Sequence, residues 1–332
     1  MKLSSYRLLL AVLGVLTLIA FTVSLLVGPS DMGMGVSLKA LFSHEISVGS
    51  LVMYEIRLPR ALLGLMIGIT LGLSGAVLQG FLRNPLAEPA ILGISGAAAL
   101  GAVLALYTGL SLVFPLALPL AGLAGAFLAV LLIRAMAGAN GSTLTLILAG
   151  VAVSAFTGAM ATLVLNLSPN PFAAMEILFW MLGSLTDRSM THVWLAAPFM
   201  IAGWVMLASL ARPLDSLTLG SDAAATMGVN VSRLQNFAVL GTAASVGAAV
   251  SVTGAIGFVG LVVPHVLRPL VGSMPSRLLP ASALGGAIVL LSADILVRVI
   301  APERDLKIGV LTALVGAPFF LWLVYRSRRN EL

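Results

Sequence analysis

The stretch Leu58-Pro59-Arg60-Ala61-Leu62-Leu63-Gly64-Leu65-Met66-Ile67-Gly68-Ile69-Thr70-Leu71-Gly72-Leu73-Ser74-Gly75-Ala76-Val77-Leu78-Gln79-Gly80-Phe81-Leu82 carries one charge, Arg60, in its first turn. About 20 apolar residues are enough for a helix to cross the hydrocarbon of a bilayer, so this segment reads as a membrane span. It ends at Arg83-Asn84-Pro85-Leu86-Ala87-Glu88-Pro89, where two prolines forbid a continuous helix. Gly64, Gly68 and Gly72 fall at four-residue spacing, with Gly75 three further on. That spacing makes one smooth helix face, suited to close approach of another backbone. Thr70 and Ser74 read as structural hydroxyls that can bond within their own helix. Gln79 is different, because a lipid-facing amide is costly and should face protein or a water-filled path.

The rest of the chain is of the same kind. Hydrophobic residues make up 60% of 332 positions, charged residues 9%, and mean hydropathy is +1.11. Soluble domains carry about 25% charged residues, so lipid must be the solvent for most of this chain. There are no cysteines, which excludes disulfides, thiolate metal sites and cysteine nucleophiles. The net charge of +6 fits Lys and Arg retained at one membrane face better than nucleic-acid binding.

Cutting at charges and Pro/Gly clusters gives ten spans near 6–27, 58–82, 90–109, 112–136, 143–166, 191–210, 233–253, 256–270, 279–300 and 307–325. The first reads as a span and not as a signal peptide, since its apolar run is long and no small-x-small cleavage site precedes Pro29. The expectation is therefore an all-α polytopic membrane protein of about ten transmembrane helices in one domain, 1–332. Both termini then share a face, and with a cytoplasmic start the inner segments hold 11 Lys and Arg against 7 on the outer side, the usual positive-inside bias. At an offset of 179 residues, Ser74-Gly75-Ala76 matches Thr253-Gly254-Ala255, Pro85 matches Pro264 and Gly93 matches Gly272. This suggests an inverted repeat of two five-helix halves, 1–170 and 171–332, with the pathway at their interface.

No G-x-x-x-x-G-K-[ST] phosphate loop is present, and His44, His192 and His265 lack metal-ligand spacing. No catalytic residue, metal site or bound cofactor is expected. Within the polar segment 212–233, Leu219 to Val229 reads as a short helix with Ser221 and Asp222 near its start and Gly228 at its end; it serves either as a solvated connector or as a docking element. On the outer side Arg57 and Arg60 flank Leu58-Pro59, and Arg298 could join them, although interfacial arginines often only snorkel.

Taken in order, Arg57-Leu-Pro-Arg60, Ser74-Gly-Ala, Asn84-Pro-Leu-Ala-Glu-Pro89, Leu92-Gly-Ile-Ser95, Trp180-Met-Leu-Gly-Ser184, Gly254-Ala-Ile-Gly-Phe-Val-Gly-Leu-Val-Val-Pro-His265, Ala293-Asp294 and Gly316-Ala-Pro-Phe-Phe320 resemble the FecCD/BtuC family of importer permeases over nearly the entire chain. The resemblance implies a BtuC-like importer fold in the cell (inner) membrane. It implies a second permease copy (a homodimer), two cytoplasmic ABC ATPase subunits that use the ATP, and a periplasmic or lipid-anchored substrate-binding protein.

Carried over position by position, Arg57, Arg60 and Arg298 would dock the binding protein. Leu219, Gly220, Ala224, Met227 and Gly228 would couple to the ATPase. Asn84, Leu86, Thr143 and Leu144 would narrow the inner gate; Gln79, read from the cost of its amide in lipid and not from the resemblance, would line the pathway. Small-residue helix faces would act as sliding contacts during alternating access. The cargo would be a bulky metal chelate, with ferric siderophore expected first and haem or cobalamin as alternatives. An ATPase-independent secondary transporter is the other class, disfavoured because the acids fall at span ends or in loops. One departure is visible: Asp305-Leu306-Lys307-Ile308-Gly309 stands where the family commonly shows Glu-Leu-Pro-x-Gly.

Overall fold

The computed structural model describes residues 3–28, 35, 40, 47–138, 142–301, 304 and 306–329. His44 and Asp305 lie outside them. The described chain is helical throughout: α1 (Leu3–Leu26), α2 (Leu58–Phe81), α3 (Ile94–Tyr107), α4 (Ala117–Ala137), α5 (Thr143–Asn166), α6 (Pro171–Met181), α7 (Met190–Ala208), α8 (Ala211–Leu217), α9 (Ser221–Thr226), α10 (Val231–Thr253), α11 (Val259–Leu267), α12 (Pro275–Ile300) and α13 (Ile308–Arg329). A short helix, Val48–Leu51, and a π-helical turn, Val52–Arg57, lead directly into α2. Among the described residues, seven helices are long and apolar enough to cross a membrane, and three shorter apolar ones accompany them.

Nine of the ten expected spans coincide with helices of at least 14 residues. The exception is 256–270. Its helix, α11, has nine residues, a rise of roughly 14 Å, about half the hydrocarbon thickness. The backbone is irregular from Gly254 to Phe258 and passes into a 3-10 turn, Pro269–Val271. Irregular backbone survives in a membrane span only where protein covers it, and here Gly254 and Ile256 are buried while Ala255, Gly257 and Phe258 are half-buried. The eleven-residue α6 was not expected.

The small residues determine the packing. On α2, a Cβ at Gly64 would meet Leu291, one at Gly68 would lie 2.6 Å from the Ala287 Cα, and one at Gly72 would fall on the Ser282 carbonyl. Rising numbers on α2 therefore meet falling numbers on α12, an antiparallel backbone-to-backbone contact. Tyr6 bonds the Arg277 carbonyl, Thr17 that of Leu284, and Arg298 that of Ser24, so α1 runs parallel to α12. Gly122 faces Ser251 and Gly247 faces Ala126, setting α4 antiparallel to α10, and Gly203 and Gly241 do the same for α7 and α10. Phe258 packs on Gly316 and His265 on Phe319, so α13 runs alongside α11. Following these directions places the start of α1 and the end of α13 at one end of the bundle, together with Arg83 and α9. Arg57, Arg60 and Arg298 lie at the other.

Candidate functional site

The α9 end is built on two left-handed glycines, Gly220 (φ +107°) and Gly228 (φ +85°), which bracket the six-residue helix α9. Side chains at such φ values are strained, so the bracket sets the direction of α9. Leu219 and Met227 project outward, 68% and 61% exposed. Ala224 does the opposite: it is fully buried in the core with Leu214, Leu217 and Leu234. Of the five expected coupling residues, then, two present apolar surface, two shape the backbone and Ala224 seats the element. Asp215, which the sequence did not single out, accepts the backbone N–H of Ser276 at 2.9 Å and ties this segment to the start of α12. It lies 61 positions from its partner, and no local pattern signals the pairing.

The Arg83–Pro89 stretch turns back into the bundle. Asn84 Oδ1 accepts the Leu86 N–H at 2.9 Å, closing a local turn. Glu88 Oε1 accepts the Phe258 N–H at 2.6 Å, while burial raises the Glu88 pKa and that bond opposes the rise. A 3-10 turn, Pro89–Leu92, ends in left-handed Gly93, which packs on Gly150 of α5. Asn84, Thr143 and Leu144 are exposed and Leu86 is half-buried. Among the described residues no hydrogen bond joins Asn84 or Leu86 to Thr143 or Leu144.

Gln79 is 1% exposed. Its amide nitrogen donates to the Leu261 carbonyl at 3.1 Å and its oxygen accepts from Arg268 at 2.7 Å. Both ends of the amide are thus satisfied inside the subunit, which binds α2 to α11. Thr70 accepts from the Trp204 indole at 2.8 Å, and Ser74 meets Ser245 at 3.4 Å, in keeping with structural hydroxyls. Replacing Gln79 with leucine strands the Arg268 guanidinium and the Leu261 carbonyl, at a cost of about 1–3 kcal/mol. A melting temperature equal to that of the unmodified protein would show that the amide bonds contribute nothing.

At the opposite end the arginines are enclosed. Arg57 is 3% exposed and donates to the carbonyls of Leu25 and Leu26 at 3.3 and 2.9 Å, satisfying the end of α1. Arg298, 7% exposed, donates to the Ser24 carbonyl at 2.9 Å and the Ser24 hydroxyl at 2.7 Å. Between Arg298 and Arg60 sits Asp294, fully buried, with Arg60 at 2.8 Å and Arg298 at 2.7 Å. The structure does bring Arg60 and Arg298 together, as expected, but around a carboxylate. The expectation that the acids sit at span ends or in loops fails for Asp294, six positions before the end of α12.

The FecCD transport family matches residues 16–326. The chain belongs to that family. Relatives of this FecCD chain include the Fe(3+) dicitrate transport system permease protein FecD of Escherichia coli K12, 41% identical over 83% of this chain and 86% of that protein. The vitamin B12 import system permease protein BtuC of Citrobacter koseri is 38% identical over 96% and 94%. Among solved structures, an inward-facing metal-chelate type ABC transporter superposes with a TM-score of 0.84 at 33% identity, covering 96% of this chain and 98% of that one. A second, PsaBC from Streptococcus pneumoniae, has a TM-score of 0.52 at 18% identity and speaks to the fold alone. The chain is thus an all-helical membrane permease with the BtuC-like fold.

Proposed function

We propose that this FecCD chain is the permease subunit of an ABC importer for metal chelates, forming the translocation pathway with a second copy. The observation that carries this reading is the α9 element, whose Leu219 and Met227 stand exposed while Ala224 fixes it to the core. An apolar knuckle at the end of a bundle that lacks its own phosphate loop suits docking into a separate ATPase subunit. The positive-inside bias supports placing this end and both termini in the cytoplasm. A binding protein then delivers cargo at the opposite end, where Arg60 is the most accessible of the three arginines at 13% side-chain exposure. Ferric chelates are the proposed cargo, in line with the dicitrate permease among the relatives, with cobalamin as the alternative suggested by BtuC.

Gly220 and Ala224 make poor probes of coupling, since changes there strain or unseat α9 itself. Leu219→Asp and Met227→Asp change only the exposed surface. Each is expected to weaken the complex with the ATPase about 30-fold, the scale of a hot-spot side chain, and the pair to reduce ATP-dependent uptake to background with unchanged membrane levels. Full uptake in the double variant would remove the coupling role. Uptake driven by an ion gradient with no ATPase present would overturn the importer reading, and a panel of ferric chelates, haem and cobalamin would identify the cargo.

A further inference from the structure

A narrow apolar groove of about 370 Å3 runs between α4, α7 and α10. Its walls include Leu123, Phe127 and Val130 of α4, Phe199 of α7, and Leu240 and Ala244 of α10. Positions 123, 127, 130 and 134 follow the i, i+4, i+7, i+11 spacing of one helix stripe, as do 233, 237, 240 and 244. Both walls therefore run from mid-helix to an arginine, Arg134 on one and Arg233 on the other, at the α9 end. Eleven residues of helix rise about 16 Å, close to half of the roughly 30 Å hydrocarbon core. The groove itself is lined from Leu123 to Val130 and from Leu240 to Ala244; with the stripes continued to the two arginines it reaches the depth of one leaflet, and it has the polarity of the tails.

The arginines at its mouth are held ready for an anion. Arg134 donates to the Asn236 side-chain oxygen, one turn along α10 from Arg233, and the Arg233 guanidinium lies 5.2 Å from the centre of the Phe237 ring. Among the described residues neither arginine forms an ion pair, and the two salt bridges of Asp294 lie at the opposite end. The carboxylates described near this end are engaged elsewhere, Asp215 with the Ser276 N–H and Asp222 beside the Ser221 hydroxyl.

We propose that this groove is a binding site for an anionic phospholipid, one acyl chain lying between α4 and α10 and the phosphate held between Arg134 and Arg233. Charge complementarity at the mouth, and not apolarity alone, selects this occupant, because a zwitterionic lipid would leave the two guanidiniums less well neutralised. Each arginine near a membrane surface contributes about a fivefold preference for an anionic headgroup, hence roughly 30-fold for the pair.

The test is native mass spectrometry of the full chain released from nanodiscs made with phosphatidylcholine and phosphatidylglycerol. Preferential retention of phosphatidylglycerol is expected, lost about 30-fold in the double variant R134Q/R233Q with phosphatidylcholine retention unchanged. The variant Ala244→Trp, which fills the groove, should reduce retention of both lipids. Melting temperatures of all variants in detergent confirm that folding is intact. Equal retention of the two lipids by the unmodified protein, or undiminished preference in R134Q/R233Q, overturns the proposal. So does a change in oligomeric state in Ala244→Trp with lipid retention unaltered, since that outcome makes the groove a protein interface.

Discussion

Gly72→Val is expected to destabilise the protein by about 3 kcal/mol or more, the upper range for overpacking, and to lower its melting temperature in detergent by at least about 6 °C. Even the first carbon of a side chain at position 72 falls on the Ser282 carbonyl, and its next neighbour is the Gly286 Cα. Both obstacles are backbone, so no rotamer change relieves the clash and α2 must separate from α12. The control is Gly14→Val in α1, where an added Cβ meets nothing within 4 Å. That exchange should shift the melting temperature little. Equal losses at the two positions would mean that glycine composition matters, and the α2–α12 contact does not.

The second large effect concerns charge. Asp294→Leu leaves Arg60 and Arg298 facing each other with no counter-charge, and removing one partner of a buried pair costs about 3–5 kcal/mol. Exchanging all three residues for apolar ones of similar size should cost less than Asp294→Leu alone, because no buried charge is left over. Added salt should hardly change the loss, since enclosed charges are poorly screened. A single variant no worse than the triple one would contradict the bridged geometry. The same arrangement explains why reversing Arg57 and Arg60 to glutamate is a poor assay of binding-protein docking. Arg57 closes the end of α1 and Arg60 neutralises Asp294, so the reversal would report folding before it reported association.

The helices were readable because a bilayer demands long uncharged runs, and nine spans follow from cutting those runs at charges and Pro/Gly clusters. The shortness of α11 was not, since Val259–Leu267 is as apolar as its neighbours. The break depends on left-handed Phe258 and on Glu88, which caps it from 170 positions away. The 179-residue offset found real backbone similarity in one place: Gly93 and Gly272 are both left-handed and both follow a proline-initiated 3-10 turn. It found a contrast elsewhere, because Ser74-Gly75-Ala76 continues a helix where Thr253-Gly254-Ala255 ends one. At the candidate site, residue types do not reveal the direction of each side chain. Alanine at 224 reads like alanine at 223 or 225, yet only 224 faces the core. Asp294 looked like an isolated acid at a span end because its partners arrive from α2 and from its own next turn.

The glycine faces also bear on how the subunit moves. Between α2 and α12, the notches at Gly68, Gly72 and Gly286 are occupied by the opposing main chain, as teeth mesh in a rack. A slip of a single residue, about 1.5 Å, would drive a side chain into a carbonyl, so these faces lock where sliding had been expected. Helices α2 and α12 therefore travel as one stiff beam, and Asp215 links that beam to the segment carrying α9. Under the proposed function, a push on the knuckle would reach the far end of the bundle as a tilt of the entire beam, and the hinges of transport would belong at its borders with softer, side-chain-lined surfaces.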